Sequence, residues 1–115
     1  MVNLNELLTK EDLEKAMEMS DEKLVLLFKQ STTCPISADA FHQYNEYLDE
    51  TDEDLGAYFV KVRETREVSN QIAEDTGIQH QSPQIFLIKN KEVLWNTSHS
   101  DITVEHIEQA VAETK

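Results

Sequence analysis

Residues 23–48, KLVLLFKQSTTCPISADAFHQYNEYL, decide the fold. Lys23 to Gln30 is a continuous apolar run bounded by polar residues, the pattern of a strand covered on both faces at a central sheet position. Ser31-Thr32-Thr33 interrupts it. Pro35 then stands where the first turn of a helix tolerates proline, and Ala38, Phe41, Tyr44, Tyr47 and Leu48 follow at spacings of three and four. Cys34 is thereby placed at the N-terminus of a helix that follows a buried strand.

On the N-terminal side, Thr9 offers a hydroxyl N-cap, Glu11 and Asp12 put acids in a first turn, and Leu13, Ala16 and Met17 continue at helical spacing, which predicts a helix over 10–19. On the C-terminal side, the acidic stretch Asp49 to Asp54 is no calcium loop. Aligning Gly56 with the sixth position of such a loop leaves Thr51, Glu53 and Leu55 where oxygen ligands are required. Alternation over Ala57 to Val62 predicts a second strand, and Val68, Ile72 and Ala73 share one face of a helix over about 65–76 that Gly77 stops. Ile85 to Ile88, the polar turn Lys89-Asn90-Lys91-Glu92 and Val93 to Trp95 read as a β-hairpin. A last amphipathic helix starts at about Thr103, with Val104, Ile107 and Val111 on its apolar face. The expected order is αβαβαββα: an α/β protein, one domain over 1–115, with a mixed four-stranded sheet and helices on its faces.

Composition narrows the function. The chain has 115 residues, 39% apolar and 29% charged, and 10 Lys plus Arg against 23 Asp plus Glu give a net charge of −13. Phosphate backbones and anionic lipid would be repelled, so neither nucleic acid nor membrane is expected as a partner. No apolar run approaches the roughly 20 residues of a membrane span, and MVNLNELLTKEDLEK lacks the layout of a secretion signal, so a cytoplasmic location and a monomer are expected. Cys34 is the one cysteine, which excludes an internal disulfide and a cysteine-rich zinc site. Any sulfur chemistry must be intermolecular.

In the expected sheet the central strand ends where Cys34 emerges, the hairpin begins at that edge near Pro83, and its second strand returns there with Ser98 and His99. The second strand brings Arg63 and Arg66 to the same side, so four segments converge on the thiol. A helix N-terminus presents free N–H groups and the positive end of the macrodipole, both of which favour a thiolate. Reactive cysteines so placed have pKa values lowered to about 3.5 to 7.5. Cys34 is therefore read as a nucleophile, against the competing reading of a small buried hydrophobe. Ser37 stands where a dithiol motif has its second cysteine; its hydroxyl is expected to donate to the Cys34 sulfur, but it has no sulfur with which to expel a captured partner. A mixed disulfide on Cys34 must be resolved from outside.

The element order, the cysteine opening the second helix and the proline opening the third strand resemble a thioredoxin-like fold over nearly the whole chain. Thr33-Cys34-Pro35-Ile36-Ser37 is similar to the active-site motif of the YtxJ-type monothiol bacilliredoxins, as are Ser82-Pro83-Gln84 and Ser98-His99-Ser100-Asp101-Ile102-Thr103. The resemblance implies debacillithiolation. Cys34 would take bacillithiol from bacillithiolated client proteins, and a second small thiol would free it, with bacillithiol as co-substrate and no tightly bound cofactor. It further implies that Pro83 is a cis-proline facing Cys34 and that the Ser82 backbone offers an N–H and a C=O to substrate. Thr33 and Pro35 would flank the bound thiol. His99 and the loop to Thr103, with the free N–H groups opening the last helix, would hold a carboxylate of bacillithiol. Lys29, Arg63 and Arg66 are further cationic candidates.

Three other readings stay open: a thioredoxin-like peptide-binding module without turnover, a monothiol carrier bridging an iron–sulfur cluster between two chains, and a cysteine hydrolase pairing Cys34 with His80 or His99. The histidines show no close metal-ligand spacing, so no metal is expected. His42 and His106 fall on helices as surface or packing residues, and Met1, Met17, Met19, Phe28, Phe41, Phe59, Phe86 and Trp95 fit core or helix faces.

Overall fold

The computed structural model describes residues 2–114; the position of Met1 on a core or helix face lies outside the described residues. The elements run β1 (Leu4–Glu6), α1 (Lys10–Met19), β2 (Val25–Gln30), α2 (Pro35–Glu50), β3 (Gly56–Lys61), α3 (Arg66–Thr76), β4 (Gln84–Lys89), β5 (Glu92–Ser98), a 3-10 turn (His99–Asp101) and α4 (Val104–Glu113). The sheet order is β1-β3-β2-β4-β5. β1, β3 and β2 are mutually parallel, β4 is antiparallel to β2, and β5 is antiparallel to β4.

β2 holds the central position that its apolar run requires. Its alternate side chains feed two cores: Leu26 and Phe28 pack with Tyr44, Leu48, Ile107 and Val111 on the face of α2 and α4. Val25 and Leu27 pack with Leu13, Ala16, Val68 and Ile72 on the face of α1 and α3. α2 is seated on β2 by aromatic contacts, Phe28 stacking on Tyr44 with ring centroids 5.3 Å apart and Phe41 tilted against Phe28 at 5.2 Å. The buried Tyr44 hydroxyl is shared between the carbonyls of Leu26 and Tyr58, at 3.2 and 3.1 Å, and burial holds its ionisation far above the ordinary tyrosine range. The start of α2 is thus fixed relative to the end of β2.

Local chemistry explains most boundaries. Thr9 and Asp12 form a reciprocal capping box at α1, and Gly77, at φ 68°, ends α3 by donating its N–H to the Ala73 carbonyl. Asn90 and Lys91, at φ 52° and 64°, make a two-residue hairpin turn.

One correction concerns strand number. The sheet has five strands and the order begins with β, because Leu4–Glu6 pairs with Ala57–Phe59 of β3. Three half-polar residues at a sheet edge carry too few positions to show a period.

Candidate active site

Cys34 is the N-cap of α2, in extended conformation (φ −107°, ψ 121°), with Pro35 at the first helical position. Its N–H closes a turn onto the Ser31 carbonyl at 3.4 Å, and the helix's first hydrogen bond runs from the Ala38 N–H to the Cys34 carbonyl at 3.1 Å. The N–H groups of Ile36 and Ser37 precede that bond and have no acceptor among the described residues. Cys34 is half-buried, and its side chain caps none of them. A half-buried cysteine therefore sits at the positive end of a 16-residue helix.

Ser37 differs from expectation. It is fully buried, and its hydroxyl accepts the Ser31 N–H at 2.8 Å. No hydrogen bond reaches the Cys34 sulfur among the described residues. The physical reason is local: an i+3 residue in a first helical turn faces the loop that enters the helix, and the nearest unpaired donor there is a backbone N–H. Ser37 folds the Ser31–Cys34 turn.

The neighbouring loop arrives as expected. Val62 extends the β2–β3 pairing through its N–H to the Gln30 carbonyl at 2.9 Å. Beyond it, Arg63 Nη1 donates to Thr33 Oγ1 at 3.3 Å and Thr32 Oγ1 donates to Glu64 Oε2 at 2.9 Å. Arg63 is thus tied to the residue preceding Cys34, whereas Arg66 is exposed at the start of α3 without such a contact.

The Ser82–Pro83 peptide bond is cis, and Pro83 is buried. Gln84, the next residue, is the register partner of Lys29 near the end of β2, so the Pro83 loop lies at the same end of the sheet as Cys34. The Pro83 carbonyl accepts the His99 N–H at 3.0 Å, which docks the 3-10 turn on this loop with His99 at φ 55°. Ser82 Oγ is shielded from solvent and has no hydrogen-bond partner among the described residues. Between the 3-10 turn and the first turns of α2 runs a groove of about 360 Å³, lined by Ile36, Asp39 and Gln43 on one side and His99, Ser100 and Thr103 on the other. Ile36, 50% exposed, is the apolar wall nearest Cys34 in sequence.

Two expectations need correction. The start of α4 is less open to an anion than expected, because the Val104 N–H donates to Gln43 Oε1 at 3.0 Å and the His106 N–H to Thr103 Oγ1 at 3.2 Å, which leaves the Glu105 N–H without an acceptor among the described residues. Lys29 is not a surface cation. It is 0% exposed, pointing with Val25 and Leu27 toward the α1/α3 face, and its Nζ lies 3.0 Å from His80 Nδ1 and 5.8 Å from the centre of the Phe86 ring. Desolvation pushes its amine down to about 8. His80 is held below the ordinary histidine range by partial burial and by the charge of Lys29. Sequence reading gave His80 no part beside Lys29; the signal was a lysine inside a strand apolar on both faces.

His42 lies 3.9 Å from Glu46 on the exposed side of α2, and His106 Nδ1 contacts the Asp101 carbonyl. Among the described residues no cluster of three or more His, Cys, Asp or Glu is arranged to hold a metal ion. Among them, too, no helix is long and apolar enough to cross a membrane.

The family model described as monothiol bacilliredoxin BrxC matches residues 5–107. A solved structure described as a candidate oxidoreductase with a thioredoxin fold is 38% identical, covers 94% of this chain and 93% of its own, and superposes with a TM-score of 0.83. The thioredoxin of Fasciola hepatica (16% identity, 96% of this chain and 99% of that one, TM-score 0.77) shares the fold. So does the thioredoxin of Malassezia sympodialis (18%, 98% and 91%, TM-score 0.75). The architecture is thioredoxin-like.

Proposed function

The chain belongs to the monothiol bacilliredoxin family, and from that premise we propose that it removes bacillithiol from protein mixed disulfides, with Cys34 as the nucleophile. The observation that carries this reading is the position of the chain's one cysteine: half-exposed, at the start of α2, beside helix N–H groups that no side chain caps.

In the first step the Cys34 thiolate attacks the bacillithiol sulfur of a client's mixed disulfide. A Cys34–bacillithiol disulfide forms, and the client's sulfur leaves as a thiolate that takes a proton from water. In the second step another small-thiol thiolate attacks the bacillithiol sulfur, releases Cys34 as a thiolate and departs as a disulfide. Over the cycle one small thiol is oxidised for each client thiol restored, and the bacillithiol leaves disulfide-bonded to that thiol. Ser37 has no sulfur to resolve the adduct internally, so its part is to hold the Ser31–Cys34 turn. Thr33 and Pro35 frame the sulfur, and the Ser82 backbone pairs with the incoming chain beside Pro83. The groove at His99 receives the body of bacillithiol, with Arg63 as the nearer cation for its carboxylates.

The test uses a bacillithiolated client with the reduced protein and excess bacillithiol. The expected result is loss of the adduct from the client at a rate proportional to enzyme, and none with Cys34→Ala. A client that keeps its adduct in the presence of the native chain contradicts the proposal.

A further inference from the structure

Among the described residues Lys29 is the one Lys, Arg, Asp or Glu that is buried. A buried ammonium without a carboxylate costs stability that a methionine of similar length would not. The ion pairs among the described residues are Lys23–Asp54, Lys61–Glu6 and Lys91–Asp21, and Lys29 is in none of them. Its polar partner is His80 Nδ1, at 3.0 Å.

What Lys29 holds is the irregular linker from α3 to β4. Its register partner Gln84 shares its side of the sheet. Gln84 Oε1 accepts the Gln81 N–H at 3.2 Å, and its Nε2 donates to the Gln79 carbonyl at 3.3 Å. Together Lys29 and Gln84 grip three consecutive residues, Gln79, His80 and Gln81, directly ahead of Ser82 and Pro83. His80 itself is exposed, so solvent protons reach it.

Among the described residues no carboxylate pairs with Lys29. The face of the sheet to which Lys29 points carries Val60 from β3, Val68 and Ile72 from α3 and Phe86 from β4. The nearest carboxylates in sequence are Glu74 and Asp75 on α3, both exposed, and Asp75 accepts from Gln71. When His80 is neutral and carries its proton on Nε2, Nδ1 accepts from the ammonium. When His80 is protonated, Nδ1 has no lone pair and two cations face each other at that distance.

We propose that Lys29 is a positioning residue and that its contact with His80 is a proton-sensitive latch, which holds the Gln79–Pro83 linker in place at neutral pH and releases it in acid. The proposal rests on Cys34 exchange as its functional readout.

The experiment compares pH–rate profiles of Cys34 mixed-disulfide exchange between pH 5 and 8 for the native chain, His80→Gln and Lys29→Met. A glutamine amide accepts from Lys29 at every pH, and the ionisation of Cys34 is common to all three forms, so it cancels in a ratio. Normalised at pH 8, the ratio of native to His80→Gln rate should fall at least threefold by pH 5.5. Lys29→Met, once its circular dichroism shows a native fold, should be at least threefold slower than His80→Gln with no pH step in their ratio. A flat native-to-His80→Gln ratio, or a folded Lys29→Met as fast as the native chain at pH 8, overturns the latch.

Amide hydrogen exchange at Gln81 and Ser82, corrected for intrinsic pH dependence, separates this from failure of the exchange reading. If no form exchanges disulfides, faster opening in acid in the native chain but not in His80→Gln still supports the latch, and equal opening refutes it.

Discussion

At the end of the sheet away from Cys34, polar groups meet partners. The Ser20 carbonyl accepts the Asn90 N–H at 2.7 Å, Ser20 Oγ accepts the Lys91 N–H at 2.8 Å, Lys91 pairs with Asp21 at 3.2 Å and Lys23 with Asp54 at 2.9 Å. At the Cys34 end, among the described residues, the N–H groups of Ile36 and Ser37 have no acceptor, Ser82 Oγ has no partner and Lys29 has no carboxylate. The contrast is not one of fold alone, because α1 and α4 begin at this same end and carry side-chain caps from Thr9 and Thr103, whereas α2 and α3 carry none. Buried polar groups in folded proteins are ordinarily satisfied. On the proposed function, the groups left without partners around the thiol are where stability is given up for chemistry.

Replacing groups at either end tests that contrast, and the largest effect is expected at Lys29. Because its amine is lowered from 10.5 to about 8 in the folded chain, Lys29→Met should be more stable than the native protein by up to about 3 kcal/mol at pH 7. Below pH 8 both folded and unfolded chains hold the proton and the cost is full. From pH 8 toward 10.5 the unfolded chain binds more protons, native stability rises, and the gap between the two proteins should close. Urea titrations across that range measure it, and a gap independent of pH would show that the ammonium is not what costs stability.

A smaller, opposite effect is expected at the far end. Ser20→Ala strips the part-buried Lys91 N–H of its acceptor and should destabilise by about 1 kcal/mol, with the exchange rate of the folded fraction unchanged. A fall in that rate would break the division between the two ends. The smallest effect belongs to α2 itself. Cys34→Ser puts a good N-cap where the thiol caps nothing, and should raise stability by about 0.5–1 kcal/mol in the same titration while exchange is lost. Lower stability would mean that the sulfur already satisfies the helix.

Where local chemistry sets structure, the sequence was readable. The Thr9 hydroxyl and the Leu13, Ala16, Met17 spacing give α1 its observed bounds, Lys10–Met19, and Pro35 after a polar break locates α2 behind a strand buried on both faces. β1 was not readable because it exists through pairing with β3 and has no pattern of its own. Lys29 shows a different failure. Its place in the apolar run says buried, its residue type says exposed, and the structure sides with position because β2 is covered on both faces. His80 became visible only with the fold, since its partner lies 51 residues away. Ser37 was placed correctly at the start of α2, but its hydrogen bond goes to whichever group the Ser31–Cys34 turn leaves unpaired, and spacing alone does not specify that.

The most direct measurement is intact mass of the chain after incubation with bacillithiol disulfide. The account predicts a gain equal to one bacillithiol, mapped to Cys34, reversed by added small thiol and absent from Cys34→Ala. A native chain whose mass does not change, under conditions where iodoacetamide shows the sulfur to be reduced and reachable, would contradict it.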